Sequence, residues 1–138
     1  MDRKDQLPAP KSQETPKPQL PTERKPKPYD IRERTLQFAL RILDITASLP
    51  ETPEGRVVRQ QPANAGTSVG ANVEEADGAV SRADKRKSLV IARKEARETR
   101  YWLRIIERRW KNLVDVTPET VESGELINIL STMISRLE

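Results

Sequence analysis

Apolar residues recur along most of this chain at steps of three and four, the period of helices with one buried face. The first such segment opens at Ile31 and continues through Phe38, Ile42, Ile45 and Leu49, with Leu36, Leu40 and Leu43 broadening the stripe. Asp30 stands where a helix cap belongs and Pro50 ends the segment. A stripe this broad predicts burial against more than one neighbour. A second segment runs from Pro53, a good first-turn residue, to Asp77, with Gly78 where a helix would stop. Pro62 lies inside it and predicts a kink or a late start to the regular part.

The third segment, Ser81 to Asn112, carries the strongest pattern. Leu89, Ala92, Ala96, Thr99, Leu103, Ile106, Trp110 and Leu113 form a seam at alternating steps of three and four, sustained for more than three heptads. Ser81 with Asp84 resembles a capping box with Asp in place of Glu. At about 1.5 Å per residue the helix would be roughly 48 Å long. A fourth segment follows the start signal Thr117-Pro118-Glu119, with a stripe at Leu126, Leu130, Met133 and Leu137 and with Ile127 and Ile134 beside it. No convincing strand pattern occurs. Four amphipathic helices on short connections predict an all-α fold, an antiparallel up-down four-helix bundle over residues 29–138.

Residues 1–28 break this pattern. They hold seven prolines and seven Lys or Arg, with two leucines. Such a segment buries too little surface to offset its ordering entropy, so a disordered, polyproline-like tail is expected there. It reads as a solubilising leader or as a basic tether for RNA or a partner.

Composition narrows the chemistry. The chain has no cysteine and no histidine among its 138 residues. That removes a thiol nucleophile, a disulfide framework, the commonest general base and the usual metal ligands, so neither a metal nor a cofactor is expected. No apolar run approaches the roughly 20 residues that cross a bilayer, and the N-terminus lacks the apolar core of a signal peptide. A cytoplasmic protein with no membrane contact is the expectation.

The stretch AGTSVGANVEEADGA, Ala65 to Ala79, could be read as a phosphate-cradling loop. A P-loop needs Lys and then Ser or Thr after its last glycine, but Gly70 is followed by Ala71 and Asn72. No apolar strand precedes it, as a dinucleotide fingerprint would require. Ala63, Gly66, Gly70 and Val73 instead share one helical stripe. Small residues there let two helix backbones approach closely, which can offset the cost of up to about 1 kcal/mol per mid-helix glycine. Thr67, Ser68 and Asn72 are placed to hydrogen-bond across such a contact. The stretch reads as architecture.

Several motifs in this region carry a family likeness. They are Thr67 to Asn72 (TSVGAN), Glu75-Ala76, Ser81 to Asp84 (SRAD), Lys94-Glu95-Ala96, Glu98-Thr99 and Tyr101-Trp102-Leu103, followed by the last helix ELINILSTMISRL. In that order they resemble the bacterial four helix bundle protein family. Its relatives include proteins encoded in intervening sequences of 23S ribosomal RNA genes and the accessory variability determinant of diversity-generating retroelements. The resemblance spans roughly residues 30 to 137. It implies an antiparallel bundle assembled as a homo-oligomer, a pentameric ring, and for some members binding of nucleic acid or of a reverse transcriptase. The chain departs from the family at Gln60-Gln61-Pro62-Ala63-Asn64, where relatives carry a Leu-rich turn with an arginine. A contact that depends on that turn is not carried over.

Charge concentrates on the third helix, where residues 82–111 carry a local net charge of +8. Arg86, Arg93, Lys94, Arg97, Arg100, Arg104, Arg108 and Lys111 fall at heptad positions b, e and f, away from the seam. An arginine stripe has the footprint of a phosphate-backbone binder, and Tyr101 within it could stack on a base. The same stripe could dock on an acidic protein surface, or be a solvated face that uses arginine for its helix propensity. Positions c and g form a different face, with Ile91, Glu95, Glu98, Trp102 and Ile105. Apolar residues outside the seam point to a second buried contact, here an oligomer interface. Without histidine or a metal motif the carboxylates Glu95 and Glu98 read as ion-pair partners rather than an acid–base couple. The expectation is a non-catalytic oligomer that binds nucleic acid, with a protein scaffold as the alternative and no small-molecule substrate.

Overall fold

The computed structural model describes residues 30–138; the tail expected over residues 1–28 lies outside them. The chain forms α1 (Ile31–Ala47), α2 (Pro53–Asp77), α3 (Arg82–Arg109) and α4 (Thr117–Ser135), and no described residue is in a strand. Each helix packs on the next, and α1 meets α4 to close the antiparallel bundle, while the backbones of the diagonal pairs stay apart. The contact between α2 and α3 is the most extensive and that between α1 and α4 the thinnest.

Local chemistry sets the helix ends. The Thr52 hydroxyl accepts the Gly55 N–H at 3.0 Å and the Ser81 hydroxyl accepts the Asp84 N–H at 3.0 Å, so both starts are held by side-chain caps. Asp30 makes no such bond and contributes only its carbonyl to α1. At α4 the Asp115 carboxylate accepts the Thr117 N–H at 3.0 Å, which holds the carboxyl below its usual range.

Phe38 and Ile42 of α1, Val69 of α2, Leu89, Leu103 and Ile106 of α3, and Leu126 and Leu130 of α4 fill the core. Three predicted details are corrected. The α1 stripe is narrow: Leu36, Leu40 and Leu43 sit on the opposite side, between 41% and 52% exposed. The α3 seam is buried from Leu89 to Ile106, but the helix ends at Arg109, leaving Trp110 at its margin and Leu113 exposed in the following turn. The late start offered for Pro62 does not occur: α2 is continuous from Pro53 to Asp77, and the proline ring is buried and fills core space.

Gly66 and Gly70 of α2 face α1. A Cβ on Gly66 would lie 2.8 Å from Ile42 Cγ2, and one on Gly70 would lie 3.1 Å from Thr35 Oγ1. Thr67 and Asn72 do not bridge helices: Thr67 donates to the Ala63 carbonyl at 2.8 Å and Asn72 to the Ser68 carbonyl at 2.8 Å, both one turn back in α2.

Candidate nucleic-acid interface

Arginine is distributed over the bundle in two chemical states. On α1 every arginine meets carboxylates. Arg34 grips Glu122 by two bonds of 3.0 and 2.6 Å and reaches Glu125 at 2.9 Å, with its side chain only 14% exposed. Arg41 meets Glu119 at 3.1 Å, and Arg32 meets Glu74 at 3.0 Å and Asp77 at 3.3 Å. These Arg34 and Arg41 pairs tie α1 to α4, where the helix contact is thinnest.

The predicted α3 stripe divides. Near its start, α4 and the residues just after it engage two members. Arg86 meets Glu138 at 2.7 Å, with its Nε buried and unbonded, and Arg93 donates to Ser131 Oγ at 3.1 Å. Unlike the cations further along, these two already have partners within the chain. Their partners lie 52 and 38 residues away, so no local pattern in the sequence could reveal them.

Further along, Arg97, Arg100, Arg104, Arg108 and Lys111 are exposed and have no carboxylate partner among the described residues; Lys94 has only the adjacent Glu95 at 3.9 Å. The Arg100 guanidinium extends over Gly124 of α4. Tyr101 stands among them, 58% exposed, its ring edge-on to Trp102 with centroids 5.5 Å apart. Tyr101, Arg104, Ile105, Arg108 and Arg109 line an open hollow of about 400 Å³. Arg109 is partly committed, to Glu54 at 2.7 Å and to the Trp110 ring at 5.5 Å.

The other flank of α3 carries Ile91, Glu95, Trp102 and Ile105, all half-buried, and the exposed Glu98, which accepts the Trp102 Nε1 hydrogen at 3.3 Å. Burial pushes the Glu95 carboxyl above its ordinary range, and the charge of Glu98 adds to the shift, while Lys94 opposes it. Sequence reasoning placed this face but missed a second one. Leu36, Leu40 and Leu43 of α1 form an apolar outer stripe, a set two to three residues out of step with the core positions.

Among the described residues no cluster of three or more His, Cys, Asp or Glu is placed to hold a metal ion, and no helix is long and apolar enough to cross a membrane. Two comparisons bear on what the chain is. The family model for 23S rRNA-intervening sequence proteins matches residues 27–134. A solved protein of unknown function from the S23 ribosomal protein family of Bacteroides thetaiotaomicron is 33% identical, with a TM-score of 0.70 over 78% of this chain and 97% of that one. No curated protein matches the chain.

Proposed function

The chain belongs to the 23S rRNA-intervening sequence protein family, and from that premise we propose that it is a non-catalytic homo-oligomeric module binding nucleic acid through α3. The observation that carries this reading is the contrast between arginines. Where carboxylates are within reach the fold uses them, as on α1. Arg97, Arg100, Arg104 and Arg108 nevertheless remain exposed and without a carboxylate partner among the described residues, around an exposed tyrosine. Helix propensity explains arginine on an outer face, but Glu107 is the one acid among these cations, and it forms no ion pair with any of them among the described residues, Lys111 one turn on included. A row of cations beside an aromatic ring matches phosphates and bases, and such binding weakens steeply with salt.

The reading includes assembly into a ring. A closed ring built head to tail needs two different faces on each copy. The chain has two outer apolar faces, the Ile91–Trp102–Ile105 flank of α3 and the leucine stripe of α1, on helices that sit diagonally in the bundle. A pentamer follows from the family resemblance. Fluorescence anisotropy of labelled RNA and DNA, titrated with protein at low and physiological salt, tests the binding. Salt-sensitive binding abolished by combined reversal of Arg97, Arg100 and Arg104 to Glu supports the reading. No binding at low salt overturns it and favours an adaptor whose arginine face docks on an acidic protein.

A further inference from the structure

We infer that the hollow beside Tyr101 receives one unpaired nucleotide, its base stacked on the tyrosine and its phosphate held by Arg104 and Arg108. The inference rests on the nucleic-acid reading above and narrows it to single-stranded ligands. A large apolar ring at 58% exposure in the middle of a cationic face is what phosphate binding alone does not require. The ring also has a packing partner. It packs edge-on to Trp102 at an interplanar angle of 70°, and Trp102 is itself tied to Glu98. A ring supported on one side by another side chain has less conformational freedom to lose when a base settles on the other.

The hollow fits the two halves of a nucleotide. Tyr101 supplies an aromatic face for a base, and the hollow of about 400 Å³ lies open along the outer side of α3, where a nucleic-acid strand can enter it. Arg104 and Arg108 lie one helical turn apart, about 6 Å along the axis. Neither has a carboxylate partner among the described residues, whereas Arg109 already meets Glu54. Their charges are therefore available to a phosphate, and the arginine forks suit its oxygens. A duplex would present phosphates here but keep its base faces within the stack, leaving Tyr101 with no base to stack on. A single strand offers both.

The test compares a short single-stranded RNA, the same sequence as DNA, and an RNA duplex, each titrated by anisotropy into the full chain and into Tyr101→Ala and Tyr101→Phe. Loss of one stacked base corresponds to roughly 5- to 150-fold weaker binding. Tyr101→Ala is expected to weaken both single strands by about tenfold, leaving the salt slope and duplex binding unchanged, while Tyr101→Phe binds as the parent does. Equal losses on duplex and single strand, or no loss on either, overturn the inference while leaving the nucleic-acid reading standing. Displacement by polyglutamate as effective as by single-stranded RNA of equal charge also overturns it, since the face would then recognise anions without bases. Failure of every nucleic acid to bind the parent at low salt sinks both readings. Thermal melting of the variants confirms that a loss of binding is not a loss of fold.

Discussion

The Gly66 backbone lies so close to Ile42 that a methyl group on it would stand 2.8 Å from Ile42 Cγ2 and 3.0 Å from Ile42 Cβ. Ile42 is fully buried and β-branched, so it has little freedom to move aside in a helix. Gly66→Ala is therefore expected to destabilise the bundle by about 1–3 kcal/mol, although alanine is the better helix former by about 1 kcal/mol. Gly124 is the control. A Cβ there meets only the Arg100 Nη1 at 3.8 Å, the far end of a flexible side chain. Gly124→Ala should be stabilising, by up to about 1 kcal/mol. Paired thermal melts check both signs, and a Gly66→Ala protein as stable as the parent would mean that the helices separate freely.

That contrast shows how far the sequence could be read. The small stripe on the second helix marked close packing without naming its partner, because nothing local distinguishes α1 from α3 as the helix opposite. Periodicity located all four helices, and Ser81 is recognisable as a cap from its position, whereas Asp30, equally well placed, makes no side-chain cap and Thr52 does. It misjudged Leu36, Leu40 and Leu43, since apolar character records that a residue is to be covered and not by what. It also grouped Arg86 and Arg93 with the other arginines, because separation along the chain hides their contacts with Glu138 and with Ser131 of α4. The site was legible where it lies on one helix and illegible where it depends on two.

The Glu95 carboxyl offers a pH test. Burial raises its folded-state value, so the fold binds that proton more tightly than the unfolded chain does. The associated stability is present below the ordinary value of 4.5 and is lost as pH rises through the raised folded value. Glutamine mimics the protonated group. Glu95→Gln should therefore melt above the parent at neutral pH, and the two should converge in acid. A variant that melts below the parent at neutral pH would reveal a cation set against Glu95 by another copy in the assembly.

Assembly through two unlike faces gives a complementation experiment. Ile91→Glu on α3 and Leu40→Glu on α1 each place a charge on one proposed face while leaving the core seam intact. Each variant alone is expected to run as a monomer by light scattering, because every contact in a head-to-tail ring uses one copy of each face. Mixed together, they retain one undamaged pair of faces and should form a heterodimer that grows no further. If one variant alone stays fully assembled, its face is not part of the ring.

The arginine face makes a quantitative prediction about salt. Removing one cation that meets a phosphate should lower the slope of log K against log salt by about 0.9 for duplex and about 0.7 for single strands. With Arg97, Arg100, Arg104 and Arg108 engaged, the single-strand slope should be about 3, and Arg104→Gln should reduce it by about 0.7. Arg32→Gln is the matched control: it removes the same charge from α1, where Glu74 and Asp77 already neutralise it. Net charge falls equally in both variants, so a purely global attraction would change both titrations alike. A slope that falls only for Arg104→Gln assigns the phosphate to the uncompensated face of α3. Equal changes in both would reduce the binding to the overall basicity of the chain.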